Sequence, residues 1–274
     1  MPLSFPPAPG SLRQRSADIL VRLLRDVITI ILLAHAIPAF SAPQSVAITR
    51  GPVDKPRIAL VFTGHEFAEG ADTILNQLSN HQAKASFFLT GSFLTNRGFR
   101  PVVARIIYDR HYLGPHSNEH LLYCTWDKEK TTLVKRDQFR ADLRANLALI
   151  EDRGVARAKV KYFLPPFEHY NPDILRWTSE LFLQLINFTP GTRSTADYTG
   201  EADKNFVSSQ AIFDSILSAE QGDPHGLNGY FLLLHLGSGP ARQDKFHVRF
   251  GELLGELKAK GYSFVTVDQM LGGQ

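Results

Sequence analysis

Cysteine is nearly absent. Cys124 is the only one in 274 residues, so no disulfide can close within the chain and a four-cysteine zinc site is excluded. Cys124 is expected as a partly buried thiol rather than a nucleophile. Charge of one sign is also scarce. The net charge is +3, with a pI near 8.9, and no basic run carries the interleaved aromatics of a nucleic-acid binder. Nucleic acid is therefore not an expected partner, and no obligatory protein partner is evident. Long hydrophobic runs are missing too: the apolar stretch at residues 27–37 (VITIILLAHAI) is short for a membrane span. There is no internal repeat and no low-complexity segment. With 43% hydrophobic and 21% charged residues, the rest is the composition of one large globular domain with a substantial core.

The first forty residues differ in character from the remainder of the chain. Arg13, Arg15, Arg22 and Arg25 precede the apolar run, and Pro38 leads into Ala39-Phe40-Ser41-Ala42. A basic flank, a short apolar run and small residues at the −3 and −1 positions (Ala39, Ser41) describe an export signal. Residues 1–41 are thus expected to be an export signal or an uncleaved anchor. Residues 42–55 are expected to be a linker, and residues 56–274 the working domain. The destination is the periplasm, the cell envelope or the medium.

From Pro56 onward, short β-rich runs alternate with helical patterns. Strands are predicted at residues 57–62, 85–89, 112–113, 160–163, 183–188, 230–236 and 263–267. Several are apolar throughout, as strands covered on both faces of a parallel sheet are. Helices are predicted at residues 71–79, 101–109, 131–150, 173–181, 208–219 and 245–260. Asn171-Pro172 supplies a helix start and Gly261 a helix stop. The fold class is α/β, a barrel or near-barrel of about seven parallel strands.

In such barrels chemistry gathers at the carboxyl ends of the strands. There the sequence puts His65 and Glu66, then His116 and His120, then Phe167 and Glu168, then Asp197 and Tyr198, and finally His235. His116 and His120 stand four residues apart in HSNEH. If that segment is helical, both imidazoles project from one side and can meet one ion. Four histidines and two glutamates at converging strand ends point to a metal site. A zinc-type metal accepts imidazole nitrogens and needs a third protein ligand from elsewhere.

Four segments taken in order resemble the polysaccharide deacetylase family, the NodB-like carbohydrate esterases of family 4. ILNQLSNHQAKASFFLTG resembles the family's second strand unit, and HYLGPHSNEH its histidine metal motif. FLLLHLG holds the late Leu-x-His, and LKAKGYSFVTVDQML resembles the closing helix and strand. The resemblance covers roughly residues 56–271. It implies a distorted (β/α) barrel with a divalent metal, removing N- or O-acetyl groups from a polymeric sugar such as peptidoglycan or a chitin-like polymer. It implies one carboxylate and the two motif histidines on the metal, a set that suits Zn2+ best with Co2+ or Ni2+ able to substitute. It also implies a second carboxylate as base and the late histidine, His235, as acid.

The departures from the family pattern are specific. The adjacent aspartates expected after the first strand are missing: Thr63-Gly64 stands there, followed by His65-Glu66. The simplest transfer makes Glu66 a metal ligand with His116 and His120, and His65 the base; a His65–His116–His120 triad with Glu66 as base is the alternative. Leu164 replaces the arginine of the third motif, and Glu168 is a new carboxylate able to orient or replace the base. The Asp-Trp pair of the fourth motif survives as Asp197-Tyr198; with Phe167 these are candidate substrate contacts. Two competing readings stand beside the deacetylase: a carbohydrate-binding barrel that has lost turnover, and a metal hydrolase of another amide or ester.

Overall fold

Arg57–Gly64 (β1) is the strand around which the others assemble, and its alternating side chains divide the core in two. Ile58, Leu60 and Phe62 point outward into the larger apolar layer, and Ala59 and Val61 point inward. The computed structural model describes Met1, Gln44 and residues 46–272. The expected export signal lies outside the described residues. Among those described, no helix is long and apolar enough to cross a membrane.

Ala71–Asn80 (α1) follows β1, then Ser86–Leu89 (β2), Gly91–Thr95 (α2), Arg100–Tyr108 (α3) and Tyr112–Pro115 (β3). After a long loop come Arg136–Asp152 (α4), Tyr162–Phe163 (β4), Pro172–Ser179 (α5) and Gln184–Leu185 (β5). Ser209–Gly222 (α6), Phe231–His235 (β6), Phe250–Ala259 (α7), Ser263–Val265 (β7) and Val267–Gly272 (α8) complete the order. Each of the seven predicted strands is present, and all pairings are parallel.

The sheet order is β3-β2-β1-β6, with β7 paired to the amino-terminal half of β1, and β4-β5 forms a separate pair. Single hydrogen bonds bring the two pieces towards each other. The Leu164 N–H donates to the Pro115 carbonyl (3.4 Å), and the Thr189 N–H to that of Phe231 (3.1 Å). The barrel is therefore stitched rather than closed. Its interior is one apolar cluster drawn from six strands and their ends: Val61, Phe88, Tyr112, Tyr162, Ile186 and Leu233, with Met270 of α8 below. Outside, Phe62 stacks on Phe87 (5.3 Å) and meets Phe250 of α7 edge-on (5.4 Å). Each fully buried side chain of this size contributes about 1.5–3 kcal/mol, so both layers are needed to hold β1 in place.

Three expectations change. Residues 46–51 are not a free linker. Ile48 bridges Ile186, its N–H donating to the Leu185 carbonyl (3.1 Å), and the Gly51 N–H reaches the Gly229 carbonyl (2.7 Å). The Ile48 pairing satisfies backbone groups that β5 would otherwise leave open at its edge. The helix predicted at 131–150 begins only at Arg136, because Thr132 is paired with Cys124 across a hairpin. HSNEH is not helical: Ser117 (φ 70°) and His120 (φ 54°) both lie in the left-handed region.

Candidate active site at the carboxyl ends of the strands

The loop after β3 is shaped by two polar residues of α4. That helix buries Phe139, Leu143, Leu147 and Ile150, and Asp142 and Asn146 sit in the same stripe. The Asp142 carboxylate accepts the N–H groups of Asn118 (3.1 Å) and Glu119 (2.9 Å) and the Tyr123 hydroxyl (3.1 Å). Asn146 accepts the His116 N–H (3.1 Å) and donates to the Leu89 carbonyl (3.2 Å). These bonds replace the helical ones that HSNEH does not make. They were legible in the sequence only as two polar residues at core-facing helical positions.

The histidines meet by this route and not by helical spacing. His116 is buried, and its Nδ1–H donates to the Leu164 carbonyl (2.8 Å), which fixes the tautomer. The ring of His120 lies 5.2 Å from that of His116, 4.4 Å from that of His65 and 4.5 Å from that of Phe167. Burial first, then the neighbouring imidazole of His65, takes the His120 pKa down to about 4. Burial and then His120 hold His116 well below the usual histidine range. Both rings are therefore neutral at physiological pH.

The donor set is not arranged around an ion. His65 and His120 are stacked with planes 18° apart, so their in-plane lone pairs run nearly side by side instead of converging. His65 Nδ1 is engaged with Thr90 Oγ1 (3.1 Å), and Glu66 is 67% exposed, its carboxylate 3.7 Å from His65 Nε2. Among the described residues, no group of three or more His, Cys, Asp or Glu side chains is placed to hold a metal. The residues as they stand do not fit the metal that the family resemblance implies.

Position 64, where the family has a carboxylate, is closed sterically. A Cβ on Gly64 would lie 2.8 Å from Leu89 Cδ2 and 2.9 Å from the Phe93 ring, both in the core. Thr63, its neighbour, is buried between β2 and β6.

The opposite side of the mouth holds the acid–base chemistry. His235 ends β6, and its Nδ1–H donates to Asp197 Oδ1 (2.6 Å) while its backbone N–H donates to Oδ2 (2.9 Å). Asp197 is only 6% exposed and so stands behind His235 as its partner, not out in the mouth as the substrate contact expected. Burial works against protonating His235, but the Asp197 carboxylate outweighs it and raises the pKa above the ordinary value. The Tyr198 ring covers His235 at 4.8 Å.

Glu168 faces this pair. Burial, joined by the Asp197 charge and opposed by His235, lifts its carboxyl to about 7. It is aimed there by strained backbone: Phe167 (φ 58°) and Glu168 (φ 53°) are consecutive left-handed residues without glycine's freedom. Such conformations cost on the order of 1–3 kcal/mol each and persist where surroundings enforce them. Here the Pro165 carbonyl accepts the Glu168 N–H (3.0 Å), and the Asn187 amide donates to the Glu168 carbonyl (2.7 Å).

One essential support carried no sequence signal. Arg242 is wholly buried and donates to the carbonyls of Asp244 (2.5 Å), Ala196 (3.3 Å), Thr199 (2.8 Å) and Val207 (2.9 Å). It thereby clamps the loop bearing Asp197. Its partners are mostly main-chain atoms more than thirty positions away, which no motif encodes. A separate cavity of about 680 Å³ opens at the amino ends of the strands, beside His111, Lys161 and Asp268, away from this chemistry.

Comparison with known proteins gives a consistent result. Residues 50–186 match the polysaccharide deacetylase family. The chain is 25% identical over 220 residues to a peptidoglycan-N-acetylglucosamine deacetylase of Bacillus cereus, covering 80% of this chain and 70% of that one. It is 24% identical to the peptidoglycan-N-acetylglucosamine deacetylase PgdA of Listeria monocytogenes, covering 84% of this chain but only 42% of that longer protein. Among solved structures, a peptidoglycan N-acetylglucosamine deacetylase superposes with a TM-score of 0.64 at 23% identity, over 82% of this chain and 92% of that one. A Bacillus anthracis protein described as a CE4 family pseudoenzyme superposes at 0.63 with 18% identity, over 83% and 69%. At these identities the superpositions establish the fold.

Proposed function

The chain belongs to the polysaccharide deacetylase family, and on that premise we propose that it hydrolyses acetyl groups from an N-acetylglucosamine-containing glycan, such as peptidoglycan or a chitin-like polymer. The observation that carries this reading is the Asp197–His235 pair at the carboxyl ends of the strands, with the Glu168 carboxyl within its electrostatic reach. A carboxyl titrating at about 7 is suited to take a proton from water at neutral pH. In this reading Glu168 accepts that proton as the water oxygen attacks the acetyl carbonyl carbon. A backbone N–H near Phe167 holds the tetrahedral oxyanion. His235, whose protonated form the Asp197 carboxylate favours, donates its proton to the departing sugar nitrogen as the C–N bond breaks. Acetate leaves, and Glu168 returns its proton to His235 through solvent. Phe167 and Tyr198 form apolar walls beside the acetyl group.

His65, Glu66, His116 and His120 line the other wall. The family resemblance implies a metal at those residues, but their side chains do not converge on one and no step above passes through it. The basic flank and apolar run before residue 42 support export to the envelope, where such glycans are found.

The test is acetate release from N-acetylglucosamine polymers and from peptidoglycan, by zinc-treated and by metal-stripped protein, with Glu168→Gln as control. Acetate from wild type and little from the Glu168 variant is the expected result. The missing carboxylates at Thr63-Gly64 favour a second reading, a glycan-binding barrel without turnover. Saturable glycan binding with no acetate under any metal condition would establish it instead.

A further inference from the structure

At the mouth of the site stands a construction that the proton transfers do not use. Trp126 is 62% exposed, an unusual position for an indole, yet it is firmly held. It sits at the tip of a hairpin in which the Thr125 N–H donates to the Thr131 carbonyl (2.9 Å) and the Leu133 N–H to that of Tyr123 (2.8 Å). Within the tip, the Asp127 carboxylate accepts the Thr125 hydroxyl (2.6 Å) and the Lys130 N–H (2.9 Å). Asn171, the cap of α5, donates to the Lys130 carbonyl (2.8 Å) and to the Thr132 hydroxyl (2.6 Å), tying the hairpin to the scaffold.

The indole is oriented as well as anchored. One face stacks on His169 at 4.2 Å with planes 27° apart, and the His169 Nε2–H donates to the Thr125 carbonyl (2.9 Å). Phe167 meets the indole edge-on at 6.1 Å and contacts His120 in turn. An aromatic strip thus runs from the catalytic mouth to an exposed, pre-oriented indole. A flat apolar ring with low conformational freedom is what the C–H face of a pyranose packs against, and fixing it beforehand removes the ordering cost of binding.

We infer that Trp126, backed by His169, is a sugar-stacking subsite for a glycan residue neighbouring the one that is deacetylated. The ligand of the site is then an oligomer of N-acetylated pyranoses, not a free monosaccharide. This rests on the glycan reading of the site, but it can be tested apart from turnover. The chain has two tryptophans, and the other, Trp177, is only 7% exposed in the core. Tryptophan fluorescence therefore reports on Trp126.

Titration with an N-acetylglucosamine tetramer should give a saturable fluorescence change, and N-acetylglucosamine itself a much weaker response. By calorimetry, Trp126→Ala should bind the tetramer about tenfold more weakly, and Trp126→Phe should recover part of the loss. Both variants should melt like wild type, because the indole is not in the core. Wild-type affinity in Trp126→Ala, or no tetramer binding by wild type, overturns the inference. Acetate release measured alongside separates the two claims. Tetramer binding lost in Trp126→Ala, with no acetate from wild type, upholds the subsite and sinks the deacetylase. Acetate release with unchanged KM in Trp126→Ala does the reverse.

Discussion

Replacing Asp197 by Asn removes one charge and one of two acceptors. The two carboxylate oxygens now stand 2.9 Å from the His235 backbone N–H and 2.6 Å from Nδ1–H, and the single amide oxygen of Asn can serve only one of those donors. The lost acceptor costs the same at every pH. The ionic part of the interaction is lost. A net hydrogen bond to a charged group stabilises by about 1.5–3 kcal/mol and a neutral one by about 0.5–1.5 kcal/mol, so the difference is about 1–1.5 kcal/mol. That difference exists only while His235 is protonated. The folded-state pKa of His235 is raised, so its contribution is fully present below the unfolded value of about 6.5 and fades as pH rises through the folded value. Urea unfolding at about pH 5.5 and about pH 9 should show the Asn penalty larger in acid by that amount, with unchanged m-values. Glu168 titrates in the same window and feels Asp197, so the comparison is repeated in a Glu168→Gln background to remove its share. A penalty equal at the two pH values, or larger at the alkaline one, would refute the view that Asp197 keeps His235 charged.

Glu168→Gln itself should lower kcat by about 10²–10⁴ and abolish the limb of the pH–rate profile that rises near pH 7. It should also stabilise the fold, on the order of 2 kcal/mol above neutral pH, because a carboxyl with a raised folded pKa loses stability once ionised; urea midpoints at about pH 8.5 check the sign. Arg242→Met should cost about 2–5 kcal/mol by stranding the buried carbonyls of Thr199 and Val207, and should lower activity in step as the Asp197 loop loosens. Dialysed protein should hold well below one equivalent of zinc by plasma mass spectrometry. A full equivalent, lost in His116→Ala, would show that the His65–His120 stack opens to admit the ion.

Legibility in the sequence followed the range of the interactions. The strands were readable because several are apolar runs covered on both faces, and the strand-end rule then put His65, His116, Glu168 and His235 at the same end of the sheet. The split between β4-β5 and the larger sheet was not, since it depends on single hydrogen bonds from residues just past β4 and β5 to β3 and β6. HSNEH is not helical for a reason outside the segment: Asp142, far along the chain, takes backbone donors that a helix would have used. Asp197 was found but given the wrong neighbour, because pairing it with His235 requires knowing that two loops meet. Trp126 and His169 looked like ordinary surface residues, and only their stacking sets them apart.

The filled space around Gly64 bears on how this lineage can change. The family resemblance places a carboxylate at this position, and one codon change could supply it. Leu89 and Phe93 fill the adjoining space, so any side chain at 64 displaces one of them. An aspartate there fits best together with smaller residues at 89 and 93, each harmful alone in a packed core. Gaining that carboxylate is therefore a matter of several coupled changes. Change that preserves the fold is directed instead towards the rim, where Glu168, Tyr198 and Trp126 can be replaced without disturbing β1.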